Sequence, residues 1–224
     1  MEDTIDMILL HKPTECSYQV SNSHRLTWIV TGIASGVYGL WALFVLPGFR
    51  TVPWKLKVPF LPSSKVQTEN IMKLLRGRKG CLVDLGSGDG RLVLAAASVG
   101  FQSTGYELNP ILLSCARAQA WLKGLSSTQA SFVKEDFWKA NLSSYNNVTV
   151  FLAPNVMETL EDKLSTELPY DARVIVCRFP FPHWLPTCSE GCGMDQVWAY
   201  DMQSLRKQIL SKNHHIWLLS LCKK

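Results

Sequence analysis

The stretch Val83-Asp84-Leu85-Gly86-Ser87-Gly88-Asp89-Gly90-Arg91 narrows the fold of this chain more than any other feature. An apolar run ends at Asp84 and Leu85, three glycines alternate with Ser87 and Asp89, and an Ala/Leu-rich segment follows from Arg91. That order predicts a strand, a tight turn and a helix start. Gly86 and Gly88 let the backbone turn and approach a ligand with no side chain between them. The helix N-terminus beyond Gly90 offers unpaired N–H groups. A dinucleotide site needs the pattern G-x-G-x-x-G. Here the register is G-x-G-x-G, and Arg91 stands where the third glycine belongs. Asp84 precedes the first glycine, where a pyrophosphate is unwelcome. The register therefore favours a nucleoside that carries a cation and no phosphate.

S-adenosylmethionine (AdoMet) is such a compound, and its methionyl ammonium makes Asp84 and Asp89 assets. With Gly86, Ser87, Gly88 and Gly90 they form the expected cofactor turn. A second acid supports the reading. Glu107 follows Gly86 by 21 residues, in Gly105-Tyr106-Glu107-Leu108-Asn109. At the end of a second strand its carboxylate can accept both ribose hydroxyls, with Asn109 beside it. A third acid, Asp136, closes a third strand in Lys134-Glu135-Asp136-Phe137-Trp138. It can bond the adenine amino group while Phe137 or Trp138 packs on the ring. Its bland alternative is a helix N-cap.

Around these motifs the pattern alternates. Strands are expected at 81–85, 103–108, 130–135, 148–152 and 172–179, and helices at 91–99, 110–123 and 156–168. Ser64-Lys65-Val66-Gln67 reads as a capping box opening a helix to about Leu75, with Val66, Ile71, Leu74 and Leu75 as its apolar face. Strands and helices in this rhythm imply an α/β domain with a parallel sheet covered on both faces. Two further strands, 196–200 and 215–219, are candidates for an antiparallel edge.

Upstream, Leu26–Leu46 runs 21 residues without a charge. As a helix it extends roughly 31 Å, close to the hydrocarbon thickness of a bilayer. Trp28 and Trp41 lie toward its ends, as interfacial anchors do. Gly32, Ser35, Gly36 and Gly39 dilute its hydrophobicity, which keeps a buried core helix open as an alternative. A cleaved secretory signal is disfavoured by the late start, the length and the missing cleavage site. The expected organisation is a polar segment at 1–25, a transmembrane helix at 26–46, a Pro-rich juxtamembrane linker at 47–63 and a catalytic domain at 64–224. Arg50, Lys55, Lys57 and Lys65 follow the span, whereas Glu2, Asp3, Asp6 and Glu15 precede it. That bias puts the C-terminal domain on the cytosol-like or matrix side.

The net charge of +5 is mild and no Lys/Arg run tracks phosphates, so nucleic acid is not an expected partner. Seven scattered cysteines, several inside apolar runs, suit a reducing compartment. His183, Cys188 and Cys192 lack a CxxC pair and a fourth ligand, so no metal site is expected.

At these residues the chain resembles the class I, seven-β-strand AdoMet methyltransferases. It is more closely similar to a mitochondrial family of lysine N-methyltransferases acting on adenine nucleotide translocase and on the ATP synthase c subunit. The matching segments include Tyr38-Gly39-Leu40-Trp41-Ala42-Leu43-Phe44, the turn from Val83 to Arg91, Phe151-Leu152-Ala153-Pro154, Arg178-Phe179-Pro180-Phe181-Pro182 and Val197-Trp198-Ala199-Tyr200-Asp201. The first and third of these look more like the translocase enzymes. The resemblance implies lysine methylation of an inner-membrane carrier, by a single-pass protein of the mitochondrial inner membrane whose catalytic domain faces the matrix. It also implies that Pro154 and Asn155 line the acceptor channel. Ala153 departs from the Asp/Asn-Pro-Pro-Tyr signature of enzymes acting on planar nitrogens, so no general base is evident. Phe179, Phe181 and Trp184 are candidates for cation–π walls, or for ordinary packing. After Asp201 the chain departs from the family, which leaves the closing edge strand open. Methylation of a small molecule or lipid, and a non-catalytic scaffold on the same fold, are the rival functions.

Overall fold

A computed structural model describes residues 21–51 and 62–208. The chain divides into two units, Met1–Ala42 and Leu43–Lys224. Backbone from Ser21 to Thr51 forms one helix, α1, whose side chains are described from 26 to 42. It passes Pro47, where the sequence predicts a stop. Proline removes one N–H from the helix ladder but does not oblige the chain to leave it. Nine large apolar side chains of α1, from Leu26 to Trp41, are 58–76% exposed. Among the described residues, however, no helix is long and apolar enough to cross a membrane. The expected transmembrane character of 26–46 is therefore not shown by the described residues. Most of the Pro-rich linker, the polar segment before Ser21 and the strand candidate at 215–219 lie outside the described residues.

The second unit holds a seven-stranded sheet in the order β3-β2-β1-β4-β5-β7-β6. The strands are β1 (Cys81–Leu85), β2 (Gln102–Tyr106), β3 (Ala130–Val133), β4 (Asn147–Val150), β5 (Arg173–Cys177), β6 (Cys188–Glu190) and β7 (Val197–Asp201). The first five are parallel, and β7 pairs antiparallel with both β5 and β6. The closing edge is thus complete, although the short β6 carries no strand signal in the sequence. Its three residues Cys-Ser-Glu lack an apolar alternation, and pairing to β7 alone makes them a strand.

Central strands read as continuous apolar runs because both faces are covered. On β1, Leu82 faces one cluster while Val83 and Leu85 face another; on β5, Ile175 and Val174 divide the same way. Helices α2 (Lys65–Leu74) and α3 (Arg91–Ser98) pack over the Leu82 side. Helix α4 (Pro110–Leu122) extends that layer over β3 through Ala116 and Phe132. Helix α5 (Pro154–Glu167) covers the opposite side with Met157, Leu160 and Leu164. Residues Met202 and Leu205, at the start of the helical stretch 202–208, join that second cluster. Ser64 caps α2 as expected, accepting from the Gln67 N–H at 2.9 Å. The capping box is only half made, since Gln67 turns its side chain to the Met194 carbonyl, and Val66 is exposed rather than on the apolar face.

Candidate active site

Pairing registers fix what meets at the carboxyl edge. Leu85 is level with Tyr106 and Val150, Tyr106 with Val133, and Val150 with Val176. The residues that follow, Gly86, Glu107, Lys134, Phe151 and Cys177, therefore lie along one rim. Strand order reverses between β1 and β4, which is where α/β sheets open a ligand crevice.

The turn after β1 is built from backbone. The N–H groups of Gly86 and Ser87 donate to the Tyr106 carbonyl, and Gly90 N–H donates to the Ser87 carbonyl. Gly86, Gly88 and Gly90 all have positive φ. At Gly90 a Cβ stands 2.5 Å from the Phe132 ring and 2.8 Å from Ala116 Cβ, so only glycine fits beneath α3. Glu107 reaches across this turn. Its Oε2 accepts from Gly88 N–H at 2.9 Å, and its Oε1 accepts from Asn109 N–H at 2.7 Å. Each carboxylate oxygen keeps a second lone pair, and the side chain is only half-buried, so two hydroxyls can still bind.

Asp84 lies below the turn, 3% exposed, with Oδ1 accepting from Thr149 Oγ1 at 2.7 Å. Burial, opposed by the Thr149 bond and helped by the charges of Glu107 and Asp89, pushes its carboxyl up to about 7. Asp89 differs from expectation. Both its oxygens accept from Arg91, so its charge is already matched inside the protein. Ser87 Oγ is buried and has no hydrogen-bond partner among the described residues. A Cβ on Gly105 falls 2.5 Å from it, so Gly105 makes its space.

Asn109 serves as the N-cap of α4, accepting from Ile111 N–H at 3.0 Å. Asp136 accepts from Trp138 N–H at 3.1 Å, closing a turn at 137–139 rather than capping a helix, and remains half-buried at the rim beside Phe137. The Phe137 and Trp138 rings touch at 4.9 Å between centroids. Pro154 and Asn155 open α5 and are exposed at the end of β4, on the other side of the switch point. Leu152 lies between them and Gly86, with Cδ2 3.5 Å from where a Gly86 Cβ falls.

The wall beyond β5 is only partly legible in the sequence. Phe181 is buried and packs with Trp184 and Tyr200 at centroid distances of 4.7 and 5.1 Å. Phe181 and Tyr200 belong to the core, and Trp184, partly buried, packs against it. Phe179 is covered by the Arg178 guanidinium, 5.6 Å from its centroid. Glu161, buried on α5, organises this segment: it accepts from the N–H groups of His183 and Trp184 and from the His183 ring, each at 2.8–2.9 Å. That bond raises the pKa of the His183 imidazole. An acid within the apolar spacing Met157, Leu160, Leu164 is the available signal for Glu161. Arg178 is the single described non-glycine residue with positive φ, at 66°. Phe179 N–H donates back to the Cys177 carbonyl at 2.7 Å, which makes a γ-turn of positive φ at the rim. Nothing in the sequence marks it.

The pocket residues fit AdoMet. A hydroxyl-accepting carboxylate, a buried acid, an unpartnered buried hydroxyl and a glycine turn closed to side chains converge at the switch point. Among the described residues no cluster of cations stands there to hold a pyrophosphate.

Comparison with known proteins agrees. Residues 84–188 match the family model "ANTKMT methyltransferase domain", and residues 20–53 match "ANTKMT N-terminal domain". The adenine nucleotide translocase lysine N-methyltransferase of Mus musculus is 52% identical over 172 residues, covering 76% of this chain and 75% of that one. The ATP synthase c-subunit lysine N-methyltransferase of Homo sapiens is 46% identical over 196 residues, covering 85% and 82%. Among solved structures, an RNA methyltransferase from Salinibacter ruber bound to S-adenosyl-L-homocysteine aligns with a TM-score of 0.60. It is 29% identical over 63% of this chain and 94% of its own. A ribosomal protein L11 methylase from Lactobacillus delbrueckii, 15% identical with a TM-score of 0.51 over 60% of this chain and 75% of its own, shares the fold. With the cofactor turn, the seven-stranded order and these relatives together, the chain belongs to the family of AdoMet-dependent protein-lysine N-methyltransferases that includes the translocase and ATP synthase enzymes.

Proposed function

We propose that this chain methylates a lysine of adenine nucleotide translocase, using AdoMet held by Glu107 and the Gly86–Gly90 turn. One observation carries the cofactor half: the Glu107 carboxylate is fixed by two backbone N–H groups at the strand-order switch. The substrate half is supported by 52% identity to the translocase enzyme. A second reading, the ATP synthase c subunit, is supported by a match that spans more of the chain, at 46% identity.

AdoMet supplies, when bound, an electrophilic methyl on a sulfonium. The chain's own task is to orient the two partners, exclude water and present the amine uncharged. Asp84 below the turn offers a negative charge toward a methionyl ammonium. Asp136 and the adjacent Phe137 border the expected adenine position. Across the switch point, Leu152, Pro154 and Asn155 carry no charge of their own. A desolvated lysine loses its proton more readily than in water, where its pKa is about 10.4.

Membrane attachment rests on α1, whose described large apolar side chains, from Leu26 to Trp41, are exposed. Attachment raises the effective concentration of a substrate confined to the same bilayer. The flanking charges support a matrix-facing domain, and the translocase itself supports the inner membrane. Purified protein, labelled AdoMet and mitochondrial membranes, followed by mass spectrometry of methyl-lysine, test the proposal. Label in the translocase supports it; label only in the ATP synthase c subunit selects the second reading, and label in lipid rejects both. Protease protection of the intact organelle reports the domain's side.

A further inference from the structure

Arg91 does more than open α3, because its guanidinium reaches in two directions. Nε and Nη2 donate to the Asp89 carboxylate at 3.0, 3.2 and 2.6 Å, and Nη1 donates to the Ser63 carbonyl at 2.6 Å. Asp89 belongs to the cofactor turn. Ser63, buried, is the last residue before the cap of α2.

On the turn side, Asp89 follows Gly88, whose N–H is held by the same Glu107 carboxylate that accepts ribose hydroxyls. On the other side, Ser64 caps α2 and also donates to Asp195 Oδ1 at 2.6 Å. Gln67 donates to the Met194 carbonyl and Asn70 to the Asp195 carbonyl, at 3.3 and 3.1 Å. Gln196 then accepts from Arg178 N–H at the end of β5. Hydrogen bonds joined by short backbone steps thus run from the cofactor carboxylate to the β6–β7 loop on the acceptor side, and the Arg91 side chain is the link between Asp89 and Ser63.

We propose that Arg91 is a positioning residue that makes the acceptor-side loop depend on cofactor occupancy, so that AdoMet binds before the lysine substrate. This rests on the AdoMet reading of the turn. The physical basis is ordering. A turn with three glycines loses much conformational freedom when a ligand fills it. Asp89 then presents a fixed two-oxygen fork to a planar guanidinium. Ser63, α2 and the 192–196 loop are held in turn, and a second ligand that needs them ordered binds at lower cost.

Hydrogen exchange with and without saturating S-adenosylhomocysteine tests this on wild type, Arg91→Met and Arg91→Lys in the full chain. Wild type is expected to gain protection at 84–90 and 107–109, and also at 63–70 and 193–196. In Arg91→Met the first pair of segments stays protected, while protection at the second pair falls about tenfold, the size of a lost charge-assisted bond. Arg91→Lys, which keeps the charge but lacks the fork, lies between them. With mitochondrial membranes as acceptor, Arg91→Met raises the acceptor KM about tenfold and the AdoMet KM less than about threefold. Equal protection of 63–70 in wild type and Arg91→Met overturns the proposal, as does no protection of that segment in wild type. A wild type that gains no protection at 84–90 removes the cofactor reading, and this inference with it.

Discussion

The two halves of the carboxyl rim are built in different ways. On the β1–β2 side the backbone makes the site: three glycines at positive φ, carbonyl and amide bonds between adjacent strand ends, and one carboxylate spanning them. On the β4–β5 side, side chains from distant segments make it. Glu161 of α5 holds the 183–184 loop, Arg178 lies in a strained turn, and three aromatic rings pack beneath. A cofactor common to a whole fold calls for a local, contiguous cradle. A protein substrate calls for a surface that can differ between relatives, and long-range contacts supply it.

The largest expected effect breaks the first half. Glu107→Ala removes both acceptors for the ribose and releases the Gly88 and Asn109 amides. AdoMet affinity is expected to fall by more than about a hundredfold, some 3 kcal/mol, since two charge-assisted bonds are lost. Calorimetric titration measures this, and circular dichroism checks that the fold persists, because Glu107 is at the rim and outside the core. Normal AdoMet binding by this variant would falsify the cradle.

The matching test on the second half is Glu161→Ala. It strands the His183 and Trp184 N–H donors, with Glu161 itself 4% exposed. A loss of about 2–3 kcal/mol in stability follows from unpaired donors and a cavity. Denaturant titration reads that loss, whereas AdoMet affinity should hold within a few-fold. Equal damage to both would mean that the halves are not separable.

This difference also explains what is legible in the sequence. Gly86, Gly88, Gly90 and Glu107 are visible because their spacing encodes a strand, a turn and a helix start within one stretch. Even there Asp89 misleads, since in sequence its partner Arg91 registers only as an absent glycine. Thr149 stays hidden, because its pairing with Asp84 arises from strand register across 65 positions. Phe181 and Trp184 are candidates for a cation site by residue type, yet a sequence does not tell a wall from a core when loop residues fold back under a helix. The strand β6 is hidden for a similar reason: three residues acquire strand form only by pairing.

A pH series sharpens the first half further. The Asp84 carboxyl titrates near 7, above the ordinary Asp value of about 3.9. In the ligand-free protein its contribution to stability is therefore full below about pH 4 and lost as pH rises through about 7. A cationic ligand favours the ionised form, so AdoMet binding should strengthen by about five- to tenfold between pH 6 and pH 8. Asp84→Asn should flatten that profile. A slope that survives the substitution assigns the titration to another group.

The smallest effect on stability, and the sharpest on function, concerns Arg178→Gly. Glycine takes a φ of 66° without strain, which recovers about 1–3 kcal/mol. Against this stand about 0.5–1 kcal/mol for the extra freedom of glycine in the unfolded chain and a similar amount for the lost contact with Phe179. These terms leave the melting temperature within a few degrees of wild type. Methyl transfer to the membrane acceptor should nevertheless drop, with AdoMet affinity unchanged, because a residue kept in a costly conformation at the rim of β5 contributes something other than stability. If Arg178→Gly proves more stable and equally active, the strained turn is a by-product of connecting β5 to its loop, and the acceptor half owes its form to packing alone.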